Sequence, residues 1–125
     1  MQIDREERAD VTVVRLGGEF DFHDVHSAEG TIGAFIDEGV HHLVFDLAGL
    51  KFISSGGLGY IIQTAKRLRR LGGELVLARP PASFGWIAQT LGIDRVVKIF
   101  EGEREAVEYF RPDSSSLDGP PQTSP

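Results

Sequence analysis

Between Leu43 and Leu71 the chain reads LVFDLAGLKFISSGGLGYIIQTAKRLRRL, and the period of its apolar positions changes partway along. Leu43, Val44, Phe45 and Leu47 form a short apolar run containing Asp46, which predicts a strand covered on both faces. Leu58, Ile61, Ile62, Ala65 and Leu68 recur at three and four residues, which predicts an amphipathic helix. The change falls between Leu50 and Leu58. There Ser54, Ser55, Gly56 and Gly57 place two hydroxyls and two residues without side chains where a helix start exposes unpaired N–H groups.

The same reading extends in both directions. Residues 2 to 5 fit a short edge strand in which Ile3 is apolar, and Val11 to Leu16 is a β-branched strand expected to end at the breaker pair Gly17-Gly18. Glu19-Phe20-Asp21 then leads into Val25, Ala28, Ile32, Phe35 and Ile36, a helical pattern that stops at Gly39. Gly30 and Gly33 inside it lower its intrinsic helicity by about 1 kcal/mol each, so packing or a close approach to the sheet is expected to hold it. Gly72-Gly73 closes the central helix, and Glu74 to Ala78 gives another buried strand, followed by Arg79-Pro80-Pro81. Phe84, Ile87, Ala88 and Leu91 predict a third helix ending at Gly92, Val96 to Phe100 a last strand, and Glu103 to Phe110 a short terminal helix. One domain over residues 1–110 follows. The remainder, 111–125, contains Pro112, Pro120, Pro121 and Pro125 without apolar periodicity, and is expected to be a disordered, dispensable tail.

Strands alternating with helices indicate an α/β layered fold with a mostly parallel sheet of four to five strands. If the strands ending at Leu16, Leu47 and Ala78 are parallel, the loops that follow them open at one edge. Asp21, Ser54-Ser55 and Arg79 are then expected in one neighbourhood, at the strand ends where such sheets bind ligands or partners.

Composition narrows the function. The chain has 125 residues, enough for one core that buries roughly two thirds of the unfolded surface. It has no cysteine, which excludes disulfides and thiolate chemistry. Its net charge of -6 argues against direct nucleic-acid binding, which requires a basic face. The basic run Lys66, Arg67, Arg69 and Arg70 reads as the solvated face of the central helix. No apolar run approaches a membrane span or a signal sequence, so a cytoplasmic protein is expected.

The polar turn fits no common catalytic motif. A nucleophile elbow needs glycine two residues before the serine, and Ile53 stands there relative to Ser55. Gly57-Leu58-Gly59 begins like a dinucleotide fingerprint, but Ile62 occupies the third glycine position and no Walker lysine follows. His23 and His26 are spaced for one helix face, yet a histidine pair at a helix start more often caps or faces solvent than binds metal. Two readings of the turn stand: Ser54 caps the helix while the glycines allow close packing, or the flat hydroxyl-bearing start is a docking surface open to a kinase.

Gly18-Glu19-Phe20-Asp21, Val44-Phe45-Asp46-Leu47, Leu50 with Phe52 and Ile53, Ser54-Ser55-Gly56-Gly57-Leu58-Gly59, Gly72-Gly73-Glu74-Leu75 and Leu91-Gly92-Ile93 together resemble the STAS domain. That family is named for sulfate transporters and anti-sigma factor antagonists, and the match spans about Gln2 to Phe110. The resemblance implies a STAS fold and, for free-standing bacterial members, a non-enzymatic anti-sigma factor antagonist with no cofactor. Its partners would be an anti-sigma factor with serine kinase activity, which it binds so as to free the sigma factor, and a metal-dependent serine phosphatase that resets it. The family motif Asp-Ser-Ser-Gly-Leu places the phosphorylated serine at Ser55, with Ser54 the second choice. Ser54 stands where the family carries aspartate, and Gly56 where it carries a second serine. Asp21, Ser54, Ser55, Gly56, Gly57 and Leu58 are the expected partner-binding residues. A non-phosphorylated scaffold or transport-accessory module, or a small-ligand or nucleotide sensor, are the alternative uses of the same fold.

Overall fold

The computed structural model describes residues 1–111; the tail expected beyond them lies outside the described residues. Five strands form one sheet in sequence order: β1 (Gln2–Arg8), β2 (Val11–Phe20), β3 (His42–Ile53), β4 (Glu74–Ala78) and β5 (Lys98–Phe100). β1 pairs antiparallel with β2, and the other neighbours are all parallel. The helices are α1 (Phe22–Asp37), α2 (Ser55–Arg70), α3 (Ala82–Leu91) and α4 (Glu103–Phe110), with a short 3-10 turn at Ile93–Arg95. This is the mixed, mostly parallel α/β sheet expected.

Alternation along the strands divides the interior in two. Val14, Leu16, Leu43, Phe45, Leu47, Leu75 and Leu77 point to one face, where Ala28, Ile32 and Ile36 of α1, Leu58, Ile61, Ala65 and Leu68 of α2, and Phe84 and Ala88 of α3 close over them. Val11, Val13, Val44, Val76 and Ala78 point to the other, covered by Ala106 and Val107 of α4. Burying side chains of this size is worth roughly 1.5–3 kcal/mol each, so the two layers supply the main drive to fold. Asp46, between Phe45 and Leu47, falls by the same alternation on the α4 side.

Several elements depart from the expected reading: β1 runs on to Arg8 and β3 to Ile53. β2 does not stop at Gly17-Gly18 but continues to Phe20, because pairing with β3 carries on past the glycines. The register slips between Arg15 and Gly17 and again between Gly18 and Glu19, and Gly18 takes a left-handed φ of 85°. The glycine pair is therefore a bulge within the strand, which bends it without ending it. The last strand is shorter than expected, since Ile93–Arg95 turns as a 3-10 helix and leaves Lys98–Phe100 to pair with β4. In α1, Gly30 faces open space, so no close approach to the sheet explains it; the buried stripe Ala28, Ile32 and Ile36 holds that helix. No helix among the described residues is long and apolar enough to cross a membrane.

Candidate functional site

β2 and β3 run parallel to their carboxyl ends, where Phe20 pairs with Ile53. The next residue on each strand caps a helix. Asp21 accepts from the His23 N–H at 2.9 Å and its own N–H donates to Asp24 at 3.2 Å, a reciprocal capping box at the start of α1. Ser54 Oγ accepts from the Gly57 N–H at 3.1 Å and caps α2. The two caps are joined by the Ser54 N–H, which donates to the Phe20 carbonyl at 2.9 Å. Two helix starts, each carrying partial positive charge, therefore open side by side.

Ser55 is the first residue of α2 and is exposed. Among the described residues its hydroxyl has no hydrogen-bond partner, whereas that of the half-buried Ser54 is engaged in the cap. Phe22 lies against Gly56, where an added Cβ would come within 3.3 Å of the ring, and it is 75 % exposed. Phe52 is also largely exposed.

The expected partner-binding residues fall into two groups. Asp21, Ser54, Ser55 and Gly56 form the accessible rim, but Gly57 and Leu58 lie inside the fold. A Cβ on Gly57 would stand 2.9 Å from the Phe20 carbonyl oxygen and 3.0 Å from Ile53 Cγ1, so this glycine is a packing requirement of the α2–β2 contact. Leu58 is 6 % exposed and belongs to the core. Phe22 was not named from sequence, and Phe52 only as a mark of the family resemblance; the signal available was an aromatic residue within two positions of each cap.

Arg79 follows β4 at the same end of the sheet, but its guanidinium turns to the α4 face. Its Nε donates to both oxygens of Asp46 at 3.1 and 3.0 Å, and its terminal nitrogen donates to Asp46 Oδ2 at 2.7 Å. Asp46 is 1 % exposed and also accepts from the Ala48 N–H at 3.0 Å. Burial pushes the Asp46 carboxyl up, and the Arg79 guanidinium pulls it partly back. Glu103, at the start of α4, accepts from Arg15 at 2.7 and 2.9 Å and from Arg8 at 3.1 Å. The Arg15 bonds foremost, then the interaction with Asp46 and the Arg79 charge, hold its carboxyl at about 2. The sequence signal for this network was the aspartate inside an apolar strand, since a buried charge requires a partner.

His23 and His26 are exposed on α1, and no group of three or more potential metal ligands occurs among the described residues. The site presents an exposed hydroxyl at Ser55, paired helix starts and the exposed aromatic side chains of Phe22 and Phe52.

Residues 2–106 match the family model described as the STAS domain. An anti-sigma F factor antagonist of Paenibacillus polymyxa is 28 % identical over 112 residues, covering 86 % of this chain and 92 % of that protein. An anti-sigma F factor antagonist of Lysinibacillus sphaericus is 31 % identical over 85 residues, covering 67 % of this chain and 73 % of its own length. Among solved structures, the Bacillus cell fate determinant SpoIIAA in its phosphorylated form is 25 % identical, with a TM-score of 0.71 over 88 % of this chain and 100 % of that one. The chain belongs to the STAS-domain family, alongside relatives that are anti-sigma factor antagonists.

Proposed function

We propose that the protein is a cytoplasmic anti-sigma factor antagonist without catalysis of its own, which docks through the rim of Asp21, Phe22, Ser54, Ser55 and Gly56 and is switched off by phosphorylation of Ser55. Unphosphorylated, it binds an anti-sigma factor that is also its serine kinase and so frees the sigma factor; a metal-dependent serine phosphatase resets it. The observation that carries this reading is the Ser55 hydroxyl, exposed at the first position of α2 and free of the capping duty that occupies Ser54. The Bacillus relative that exists in a phosphorylated form supports a covalent switch within the family.

The electrostatics give the switch its direction. A phosphoryl group on Ser55 adds about -1.5 to -2 charges and three acceptor oxygens. In the free protein it meets water and the unpaired N–H groups at the start of α2, so folding is little affected. Arg79 takes no part, because its guanidinium is bound to Asp46. In the complex the phosphate must lose water next to Asp21, and an unpaired charge in an interface costs on the order of 2 to 5 kcal/mol. The phosphoprotein therefore binds at least roughly tens of times more weakly, since about 1.4 kcal/mol is a factor of ten.

The test is incubation with ATP and the cognate ATPase-fold anti-sigma factor, followed by mass spectrometry and binding measurements. Ser55→Ala is expected to bind constitutively and resist labelling, and Ser55→Asp to bind poorly. Phosphate on Ser54 with Ser55 unmodified would overturn the residue assignment. Labelling at neither serine would leave a fixed docking scaffold in place of the switch.

A further inference from the structure

Helix α3 is lightly held. Among the described residues it is held by the buried Phe84 and Ala88 with the half-buried Ile87 packed beside them, while Trp86, 70 % exposed, and Leu91 stand in solvent. Its N-cap is Pro81, which supplies no side-chain hydrogen bond. Both of its connections pass through left-handed residues, Arg79 at φ 53° before it and Gly92 at φ 72° after it. Glycine adopts that conformation freely, whereas arginine does so against its Cβ.

Something must hold Arg79 there. Its N–H donates to the Phe100 carbonyl at 3.0 Å, and its guanidinium fork closes on Asp46. Asp46 sits on β3 in the middle of the sheet, with its own carboxylate fixed by Ala48, so it is a rigid anchor. The other charges around the fork are Glu103, 3.7 Å from the Arg79 terminal nitrogen, and Arg15 and Arg8, which bind Glu103. A planar fork on a fixed carboxylate sets both the distance and the direction in which the chain leaves β4.

We infer that the Asp46–Arg79 pair is a positioning clasp for α3: it sets where that helix lies at the carboxyl edge of the sheet, and its opening releases α3 from an otherwise intact fold. The first turn of α3 meets the end of β3 where Pro81 and Phe84 share a small pocket with Leu50, Phe52 and Ile53, immediately before Ser54. The clasp thereby shapes one flank of the docking rim, a consequence that rests on the function proposed above.

Trp86 is the only tryptophan of the chain, so α3 carries its own probe. Amide hydrogen exchange read by mass spectrometry, with Trp86 fluorescence anisotropy, is compared among wild type, Asp46→Asn, Arg79→Gly and Arg79→Lys. Arg79→Gly suits the left-handed backbone but removes the fork, and Arg79→Lys keeps a cation beside Asp46 without a fork, giving the reading in a background where the core charge stays balanced. Exchange across residues 80–92 is expected to rise at least about tenfold and the anisotropy to fall, with β3 and α2 still protected. Arg79→Lys is expected to lie between wild type and Arg79→Gly. Unchanged exchange across 80–92 in every variant would overturn the clasp, and so would a uniform rise that includes β3 and α2. Affinity for the anti-sigma factor is measured separately on the same variants. If wild type binds none, the proposed function fails while the exchange data still decide the clasp.

Discussion

The main-chain N–H of Ser54 donates to the carbonyl of Phe20 at 2.9 Å, and that bond places the caps of α1 and α2 next to each other. The two segments lie more than thirty residues apart in sequence, and the parallel pairing of β2 with β3 brings them together. Whatever docks on one helix start therefore meets the other.

The two glycines on either side of Leu58 have opposite roles. Gly57→Ala forces a Cβ to 2.9 Å from the Phe20 oxygen and 3.1 Å from the Phe20 ring, so it is expected to cost about 1–3 kcal/mol. Gly59 has nothing within 4 Å of its missing Cβ, and Gly59→Ala is expected to stabilise by up to about 1 kcal/mol through helix propensity. Thermal melts of the pair check this. Equal melting temperatures would refute the packing role given to Gly57.

Ser54 and Ser55 separate in the same way. Ser54→Ala removes the cap on Gly57 and is expected to cost about 1 kcal/mol, whereas Ser55→Ala is expected to change stability by less than about 0.5 kcal/mol. Urea unfolding of the two variants reads the difference, and equal losses would refute the capping role given to Ser54 alone.

Acid weakens the docking of α4 through Glu103. Its carboxyl is held at about 2 against an ordinary 4.5, so its contribution is complete above 4.5 and is lost as the pH falls toward 2. Glu103→Gln is expected to cost about 1–3 kcal/mol at neutral pH, with the gap from wild type closing across that interval. Asp46 works in the opposite sense, because burial raises its carboxyl and the stability it contributes is lost as the pH climbs through that raised value. The difference between wild type and Glu103→Gln, measured by urea unfolding across the acid range, isolates Glu103. A gap independent of pH would contradict the assignment.

Phe22 is expected to be a contact residue. It is exposed beside Gly56 and outside both core layers, so Phe22→Ala is expected to leave stability within about 0.5 kcal/mol and to lower affinity for the anti-sigma factor about tenfold. Calorimetric titration against the partner, with a melt as control, reads both numbers. Unchanged affinity would move the interface away from this rim.

Local pattern was enough for the elements and their order. The shift from the run Leu43–Leu47 to the helical spacing of Leu58–Leu68 located the turn at Ser54, because strand and helix present side chains at different periods and a cap is a short-range hydrogen bond. The parallel edge that joins Asp21 to Ser54 also followed from the alternation of strands and helices. Tertiary pairing decided the rest. Whether Gly17-Gly18 ends a strand or bulges within one depends on β3 lying alongside, where Gly17 meets Gly49 and an added Cβ on Gly49 would be 3.1 Å from the Leu16 oxygen. Whether Gly57 and Leu58 face a partner or the core depends on Phe20 and Ile53 closing over the start of α2. Arg79 turns away from Ser55 because Asp46, 33 residues earlier, is a buried carboxylate that needs its charge met, and a demand created by burial arises only once the sheet has formed around it.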